Sequence, residues 1–197
     1  MPRARAVVAT RNPHKLRELG EILDSLELAP LPDEVELPPE EGSTFADNAR
    51  GKAHAAHDAT GLAAIADDSG IEARALGAAP GVRSARYAGP EATDEENLEL
   101  LLRELADAAD RSVVYVCVLA HVDEGGAEHL FEGRCEGQLA REPRGSGGFG
   151  YDPAFVPDDT GPGDSRTMAE LSPAEKHAIS HRGRAARELA AWLEKKS

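Results

Sequence analysis

Four carboxylates in two short stretches of the sequence could bind a metal ion and move a proton: Glu40, Glu41, Asp67 and Asp68. Mg²⁺ prefers hard oxygen ligands and usually takes one or two carboxylates, with phosphate oxygens and water completing its octahedron. One of these carboxylates could also orient or deprotonate an attacking water molecule. The alternative is that acidic residues near turns face solvent and have no chemical role.

A polar turn after the first apolar run suits an anionic ligand. It contains Thr10, Arg11, Asn12, Pro13, His14 and Lys15. Backbone N–H groups and the dipole at a helix start favour a phosphate group, and Lys15 would add a point charge. The turn has neither the pattern of a Walker A loop nor a GxGxxG pattern. A capped helix with a surface lysine is the alternative.

A glycine-rich segment at residues 145–153 places four glycines around Phe149. Glycine lets the backbone approach a ligand closely, and the aromatic ring could stack on a base. Aromatic residues make up only 4% of the chain, so one in a glycine loop favours a binding role. A flexible hairpin loop is the alternative.

Basic and hydrogen-bonding side chains gather near the end of the sequence: Lys176, His177, His181 and Arg182. The histidines have the helical i, i+4 spacing of some zinc ligands. No HExxH pattern contains them and no cysteine is near, so zinc is disfavoured. Arg182 is suited to a bidentate hydrogen bond with carbonyl-type acceptors, such as those on the edge of guanine.

The elements that must position these residues alternate between strands and helices early in the chain. Apolar runs and caps predict a strand at 4–9, a helix from Asn12-Pro13 to Leu23, a strand at 26–31, a helix from Ser43 or Thr44 to Gly61, and a strand at 62–66. Residues 67–70 then predict a turn or an edge, where the acidic pair could be presented outward.

The remainder of the chain predicts strands in hairpins followed by helices. The pattern indicates an irregular segment at 76–89, a helix at 94–109 capped by Thr93, a strand at 112–122, a turn at 123–126, and strands at 129–139 and 151–156. From residue 172 the composition is helical, with an interruption at 180–183. Together these elements predict an α/β fold with a mixed sheet.

Composition predicts one folded domain spanning residues 1–197, which is an ordinary size for a single core. The net charge of −14 argues against binding long nucleic acid, because affinity for a phosphate backbone needs a basic face. Cys117 and Cys135 are expected to be unpaired core residues. The apolar run at 6–9 is too short for a signal peptide or a membrane span, so we expect a cytoplasmic protein without membrane contact.

Five segments of the chain, taken together and in this order, resemble one enzyme family. They are ATRNPHK, EEGSTFADNARGKA, ADDSGIEARALGAAPGVRSARYAG, GSGGFGYDPAF and TMAELSPAEKHAISHRGRA. The residues of these segments and their order resemble those of the inosine/xanthosine triphosphate pyrophosphatase family, whose members remove purine nucleotides that carry a non-standard base. The resemblance covers nearly the whole chain.

The resemblance implies an elongated mixed sheet with flanking helices, and two lobes around a central cleft. It also implies a homodimer, dependence on Mg²⁺, and attack of water at the α-phosphorus of a nucleoside triphosphate. The expected reaction converts ITP, dITP or XTP to the monophosphate and pyrophosphate.

The same resemblance implies roles for individual residues. Thr10, Asn12, Lys15 and Lys52 would hold the triphosphate. Glu40 and Asp68 would bind Mg²⁺, with Asp68 as the catalytic acid/base and Ser69 near the substrate. The base pocket would consist of Phe149, which stacks on the purine, Gly150, Tyr151 and Asp152, together with Lys176, His181 and Arg182, which read its 6-oxo edge.

Two alternatives remain open at this point. A nucleotide sensor could keep the fold without turnover, although an acid/base and a metal site together favour an enzyme. A related pyrophosphatase could prefer modified pyrimidines, although Phe149 and the segment at 180–182 match purine readers. The sequence departs from the family pattern at His177, where Asn is more frequent, and at 158–165, which is longer than usual.

Overall fold

The computed structural model describes residues 4–196, and in that range it contains six strands and five α-helices. The strands are β1 (Ala4–Val8), β2 (Leu26–Pro30), β3 (Ala63–Ala73), β4 (Ser112–Val122), β5 (Glu128–Leu139) and β6 (Phe155–Pro157). The helices are α1 (Pro13–Ile22), α2 (Phe45–Thr60), α3 (Asp94–Glu104), α4 (Pro173–Ile179) and α5 (His181–Glu194). Short 3₁₀ turns lie at Arg74–Leu76, Gly81–Arg86, Asp158–Thr160 and Met168–Glu170.

The strands form a single six-stranded sheet in the order β2-β1-β3-β4-β5-β6. β1 pairs in parallel with β2 and with β3, whereas β5 and β6 are antiparallel. Parallel neighbours need a crossover between them, and α1 and α2 supply the helices of those crossovers. The predicted α/β fold with a mixed sheet and flanking helices is confirmed.

Side-chain caps explain where the first two long helices begin. The Asn12 side chain accepts hydrogen bonds from the N–H groups of His14 and Lys15, which starts α1 with Pro13 in its first turn. Thr44 forms a capping box with Asp47 and starts α2. That helix stops at Gly61, whose φ of 67° is a left-handed conformation that glycine adopts without steric cost. These starts and stops agree with the sequence patterns.

The predicted turn at 67–70 is wrong, because β3 continues through these residues as far as Ala73. Two adjacent aspartates usually indicate an exposed turn, since an unpaired buried carboxylate is strongly unfavourable. Here Asp67 and Asp68 are both buried, and each has partners from other elements. Because each carboxylate is paired with a group from another element, the strand can continue through these residues.

Three other predictions differ from the structure by several residues. α3 ends at Glu104 rather than at 109. β6 begins at Phe155 rather than at 151, because Tyr151–Ala154 form a turn closed by an N–H of Ala154 on the carbonyl of Tyr151. Only Ser180 separates α4 from α5, so residues 181–183 are helical rather than a break.

The chain forms two compact units, each with its own apolar core. Within the described residues, unit 1 consists of residues 4–68, 117–133 and 182–196. Its core includes Val8, Leu19, Ile65, Leu119 and Leu189. Unit 2 consists of residues 69–116 and 134–181, and its core includes Ile71, Leu101, Tyr115, Phe155 and Met168. Cys117 lies in the first core and Cys135 in the second, both as free thiols, as predicted.

Within the described residues 4–196, no helix is both long and apolar enough to cross a membrane.

An aromatic cluster in unit 1 joins β4 and β5 to the last helix. The ring of Trp192 lies 4.2 Å from that of His129 and 5.6 Å from that of His121, measured between centroids. Burial lowers the pKa of His121 to about 4, despite the opposing charge of Asp123. Neither Nδ1 of His121 nor Nε2 of His129 has a hydrogen-bond partner among the described residues. A protonated His121 is therefore disfavoured in the folded state.

This burial predicts an acid-dependent loss of stability. An unfolded histidine has a pKa of about 6.5, so the unfolded state binds the proton first and stability falls as pH drops from there towards 4. At pH 4.5 we expect His121→Phe to be more stable than the wild type by roughly 1 to 2 kcal/mol, relative to their difference at pH 7.5, after discounting for solvent screening. Calorimetric melting of both proteins across this range is the measurement. Parallel profiles of Tm against pH would contradict the role of His121.

Candidate active site

Two consecutive aspartates of β3 form the centre of a charged cluster in unit 1. Side chains of successive strand residues point to opposite faces of a sheet, so Asp67 and Asp68 meet different partners. Asp67 contacts Lys15 of α1 and Arg182 of α5. Asp68 contacts Asn48 and Lys52 of α2. The alternation of the strand thus gives two adjacent carboxylates two separate environments.

Asp67 is a fully buried counter-ion, with 1% of its surface exposed. Its Oδ2 lies 3.0 Å from the Lys15 ammonium and accepts hydrogen bonds from Nε and Nη2 of Arg182 at 3.3 and 3.0 Å. Burial alone would raise the pKa of Asp67, but Lys15, Arg182 and Lys52 outweigh burial and hold that pKa far below its usual range. Asp67 therefore stays ionised and is unsuited to accept a proton.

Arg182 lies at the second residue of α5, where the helix dipole disfavours a cation. Its third guanidinium nitrogen donates to Glu18 Oε2 at 2.6 Å, so Asp67 and Glu18 together offset its charge. Glu18 was not identified from the sequence. Its position three residues after Lys15 places both on one face of α1, which is the signal that could have found it.

Asp68 has the properties of a proton acceptor. Burial, reinforced by the charge of Glu40, raises the pKa of Asp68, although Lys52 and Asn48 act in the opposite direction. A carboxylate whose pKa lies closer to 7 is a better acid/base at physiological pH. The Asn48 amide donates to Asp68 Oδ2 at 2.8 Å and fixes the carboxylate. Asn48, one helical turn before Lys52, was also not identified from the sequence.

Lys52 joins the carboxylates of this cluster. Its ammonium donates to Glu40 Oε1 at 2.5 Å and to the backbone carbonyl of Asp67 at 2.7 Å, and lies 3.9 Å from Asp68 Oδ1. Burial alone would lower the pKa of Lys52, but Asp67, Glu40 and Asp68 raise it. The neighbouring Glu41 is exposed. Of the four carboxylates considered at the outset, three therefore belong to the cluster and Glu41 does not.

Glu40 and Asp68 fit a magnesium ion whose shell is completed by a ligand. No group of three or more His, Cys, Asp or Glu side chains in residues 4–196 is arranged to hold a metal by itself. Mg²⁺ does not need such a group, since one or two carboxylates with phosphate oxygens and water suffice. Both carboxylates lie beside the same ammonium group, which places two oxygen donors close together.

The polar turn before α1 has a defined structure. Thr10 Oγ1 accepts a hydrogen bond from the Asn12 N–H at 3.1 Å, and Asn12 in turn caps the helix. The Arg11 guanidinium donates to the backbone carbonyls of Leu31, Pro32, Asp33 and Val35. Pro13 and His14 are exposed in the first turn of α1, and Lys15 points to Asp67. The turn thus brings a helix N-terminus and one lysine to the carboxylate cluster.

The glycine-rich loop in unit 2 is organised by Asp152, of which 3% is exposed. Its Oδ2 accepts hydrogen bonds from the Phe149 N–H at 3.0 Å and from the Lys176 ammonium at 2.8 Å. A side chain at Gly148 is excluded, because a Cβ there would lie 2.1 Å from Asp152 Oδ2 and φ is +70°. The loop is therefore held in one conformation by a buried carboxylate.

Further contacts in unit 2 fix the other predicted base-pocket residues. The Lys176 ammonium lies 5.1 Å from the centroid of the Phe149 ring. The Gly150 N–H donates to Asp94 Oδ2 at 2.8 Å, and the Tyr151 hydroxyl donates to the carbonyl of Ser84 at 2.7 Å. His181 is buried, whereas Ser69 and His177 are half-buried.

The structure thus gathers the predicted residues into two sets. Unit 1 holds the charged set, which consists of Lys15, Glu40, Lys52, Asp67, Asp68 and Arg182. Unit 2 holds the aromatic set, in which Phe149, Asp152 and Lys176 are in mutual contact. Arg182 was predicted to read a base, and in this structure its guanidinium is bonded to the carboxylates of Asp67 and Glu18, so that role stays a prediction.

Solved structures define the class to which this fold and site belong. The chain superposes on a HAM1 protein from Coxiella burnetii with a TM-score of 0.87 and 45% identity, covering 98% of this chain and 99% of the other. It superposes on the Ham1 protein of Staphylococcus aureus with a TM-score of 0.86 and 37% identity, covering 98% of this chain and 100% of the other.

The sequence comparison identifies the family. The model of the Ham1 family matches residues 6–192, so the chain belongs to that family. It is 52% identical to the dITP/XTP pyrophosphatase of Mycobacterium tuberculosis over 188 residues, which cover 91% of this chain and 90% of the relative. It is 50% identical to the dITP/XTP pyrophosphatase of Mycolicibacterium paratuberculosis, covering 95% of each chain. The resemblance indicated by the five segments is confirmed.

The charged set predicts that Asp67→Asn destabilises the protein. Asn cannot balance Lys15 and Arg182, and removing one partner of a buried ion pair costs about 3 to 5 kcal/mol. The folded pKa of Asp67 is lowered, so this contribution is fully present at pH 7 and is lost only as pH falls below about 4. Urea unfolding at pH 7 is the measurement.

The matched control for this prediction is Asp33→Asn, which removes an exposed carboxylate 3.6 Å from Arg11. Exposed ion pairs contribute at most about 1 kcal/mol, so the control should change little. Equal losses of stability in the two variants would show that Asp67 has no special structural role.

Proposed function

We propose that this chain is a magnesium-dependent pyrophosphatase that hydrolyses nucleoside triphosphates with a non-standard purine, namely ITP, dITP and XTP. The products are the nucleoside monophosphate and pyrophosphate, and the reaction removes these nucleotides from the pool. The observation that carries the proposal is Asp68, a buried carboxylate with a raised pKa beside Glu40 and Lys52. The names of the relatives support the same reaction.

The charged set would bind the triphosphate. Lys15 and Lys52 supply positive charge, and Thr10 and Asn12 shape the turn at the start of α1, where N–H groups favour phosphate oxygens. Charge grows on the phosphates in the transition state, and preorganised cations stabilise it without having to reorient. In this proposal Arg11, Pro13 and His14 line the same turn, and Ser69 lies near the substrate because it follows Asp68 in β3.

Asp68 would accept the proton of the attacking water. The water oxygen bonds to the α-phosphorus, the bond from that phosphorus to the bridging oxygen breaks, and pyrophosphate leaves with the electron pair. Glu40 and Asp68 would hold Mg²⁺, which when bound would offset negative charge on the phosphates. Asp67, already ionised and paired with two cations, would keep Lys15 in place rather than take a proton.

The aromatic set would select the base. Phe149 would stack on the purine, with Gly150, Tyr151 and Asp152 completing the pocket. Lys176 and His181 would donate to the 6-oxo group, and the family resemblance assigns the same role to Arg182. The 6-amino group of ATP would leave such donors unpaired, and each buried unpaired polar group costs about 1 to 3 kcal/mol. Several mismatches would give discrimination on the order of 10⁴-fold.

We also propose that residues 1–197 act as one catalytic domain, and that the protein is a cytoplasmic homodimer. The family resemblance supports both statements. Binding to nucleic acid polymers is no part of the proposed function, since the chain is strongly acidic. Membrane contact is no part of it either.

A panel of nucleotides tests the reaction and the base preference together. The purified protein is incubated with Mg²⁺ and ITP, XTP, dITP, GTP, ATP or dUTP, and the nucleotide products and pyrophosphate are quantified. We expect monophosphate and pyrophosphate from ITP, dITP and XTP, with little from ATP. Diphosphate with inorganic phosphate would instead place the attack at the γ-phosphorus. Absence of turnover with every nucleotide would favour a sensor, and a preference for dUTP would favour a pyrimidine enzyme.

The role of Asp68 predicts that Asp68→Asn lowers kcat for ITP by at least about 10²-fold, because Asn cannot accept a proton and is a weaker magnesium ligand. Steady-state kinetics with saturating Mg²⁺ is the measurement, and circular dichroism checks the fold. Glu41→Gln is the matched control, since it neutralises an exposed carboxylate next to Glu40. Turnover near that of the wild type in folded Asp68→Asn would exclude Asp68 as the base.

A further inference from the structure

Tyr115 of β4 is a buried residue of unit 2 that contacts two members of the proposed base pocket. It has 6% of its surface exposed. Its hydroxyl donates to Asp152 Oδ1 at 3.1 Å. Its ring stacks on His181, with centroids 4.5 Å apart and an interplanar angle of 16°. The ring also stacks on Phe155, with centroids 4.2 Å apart and an interplanar angle of 22°.

The hydroxyl of Tyr115 acts on the residue that organises the glycine-rich loop. Asp152 uses its other oxygen, Oδ2, to accept from the Phe149 N–H and from Lys176. Rotation of the carboxylate would disturb both of these bonds at once. A donor on Oδ1 opposes that rotation, so the Tyr115 hydroxyl fixes the carboxylate, and through it the Phe149 backbone and the Lys176 ammonium.

The hydroxyl keeps its proton at neutral pH. Burial and the charge of Asp152 raise the pKa of Tyr115 well above its usual value. A phenol that stays protonated is a permanent donor to a carboxylate, and hydrogen bonds to a charged acceptor are the stronger kind. The Tyr115 hydroxyl therefore remains a donor to Asp152 at neutral pH.

The ring of Tyr115 acts on His181 in a different way. An imidazole stacked on a flat, immobile ring has its plane fixed, and its N–H groups then point in set directions. Phe155, packed in the core of unit 2, holds the tyrosine ring in turn. The orientation of His181, a proposed donor to the 6-oxo group, is thereby set by β4 as well as by α5, of which it is the first residue.

We propose that Tyr115 is a positioning residue for purine recognition, which holds Asp152 through its hydroxyl and His181 through its ring. This inference rests on the proposed function, because it concerns the same base pocket. Tyr115 does not replace any of the predicted base-contacting residues. It determines how well they discriminate between a 6-oxo and a 6-amino purine.

The hydroxyl and the ring can be tested separately. Tyr115→Phe removes only the hydrogen bond, and we expect KM for ITP to rise about 3- to 10-fold with kcat changed less than about twofold, since the phosphates are bound elsewhere. The kcat/KM for ATP should stay the same, so the preference for ITP over ATP falls. Tyr115→Leu also removes the stack on His181 and should lower the preference further.

The matched control is Tyr87→Phe. The hydroxyl of Tyr87 also donates to a carboxylate and Tyr87 also belongs to unit 2, but the acceptor is Glu104, which is not a proposed base-pocket residue. We expect no change in the ratio of kcat/KM values in this variant. A retained kcat in Tyr115→Phe also shows that the protein is folded, because turnover requires the intact charged set.

A double-mutant cycle separates positioning from a general structural effect. If Tyr115 acts through Asp152, Tyr115→Phe should have little further effect on the ITP preference in an Asp152→Asn background. A wild-type enzyme that hydrolyses ITP, together with an unchanged ITP-to-ATP ratio in Tyr115→Phe, would overturn the inference and leave the proposed function intact. A wild-type protein that hydrolyses none of the purine nucleotides would overturn both. Independent, multiplicative effects in the cycle would also overturn the inference.

Discussion

The balancing of a buried carboxylate, Asp67, is the constraint on which the charged set of unit 1 depends. A desolvated charge is tolerated inside a protein only when partners surround it. Asp67 finds them in Lys15 of α1 and Arg182 of α5, and Arg182 is balanced in turn by Glu18. Two helix starts and the central strand β3 are thereby locked to one another. The position of Lys15, a proposed phosphate ligand, follows from this arrangement.

The geometry of β3 then places its two aspartates in different environments. Because consecutive residues of β3 face opposite ways, the carboxylate that holds unit 1 together and the carboxylate proposed for proton transfer are adjacent in the chain but differ in environment. The cations around Asp67 lower its pKa, whereas burial and Glu40 raise the pKa of Asp68. Lys52 contacts both aspartates, the backbone carbonyl of Asp67 and the carboxylate of Asp68, so the two environments are coupled.

Local signals predicted the fold well, and long-range partners explain what they missed. Caps at Asn12 and Thr44 and the β-branched run of β4 depend on neighbouring residues, and these elements agree with the sequence. The turn predicted at 67–70 failed because the bonds that permit a buried Asp67 come from Arg182, 115 positions away. Glu18, Asn48 and Tyr115 were missed for the same reason. Their residue types are ordinary for a helix face or a strand, and only the tertiary contacts give them a role.

The charge balance around the charged set bears on which anions the proposed site would bind. Three cations, Lys15, Lys52 and Arg182, lie among four carboxylates, the three of the charged set and that of Glu18, so the site carries no surplus positive charge. A bare inorganic anion such as sulfate would gain little by entering such surroundings. A polyphosphate that arrives with its own cation would gain more, because the cation would meet carboxylates and the phosphates would meet lysines. The near-neutral composition would thus favour a metal–polyphosphate complex over a free anion at the proposed site.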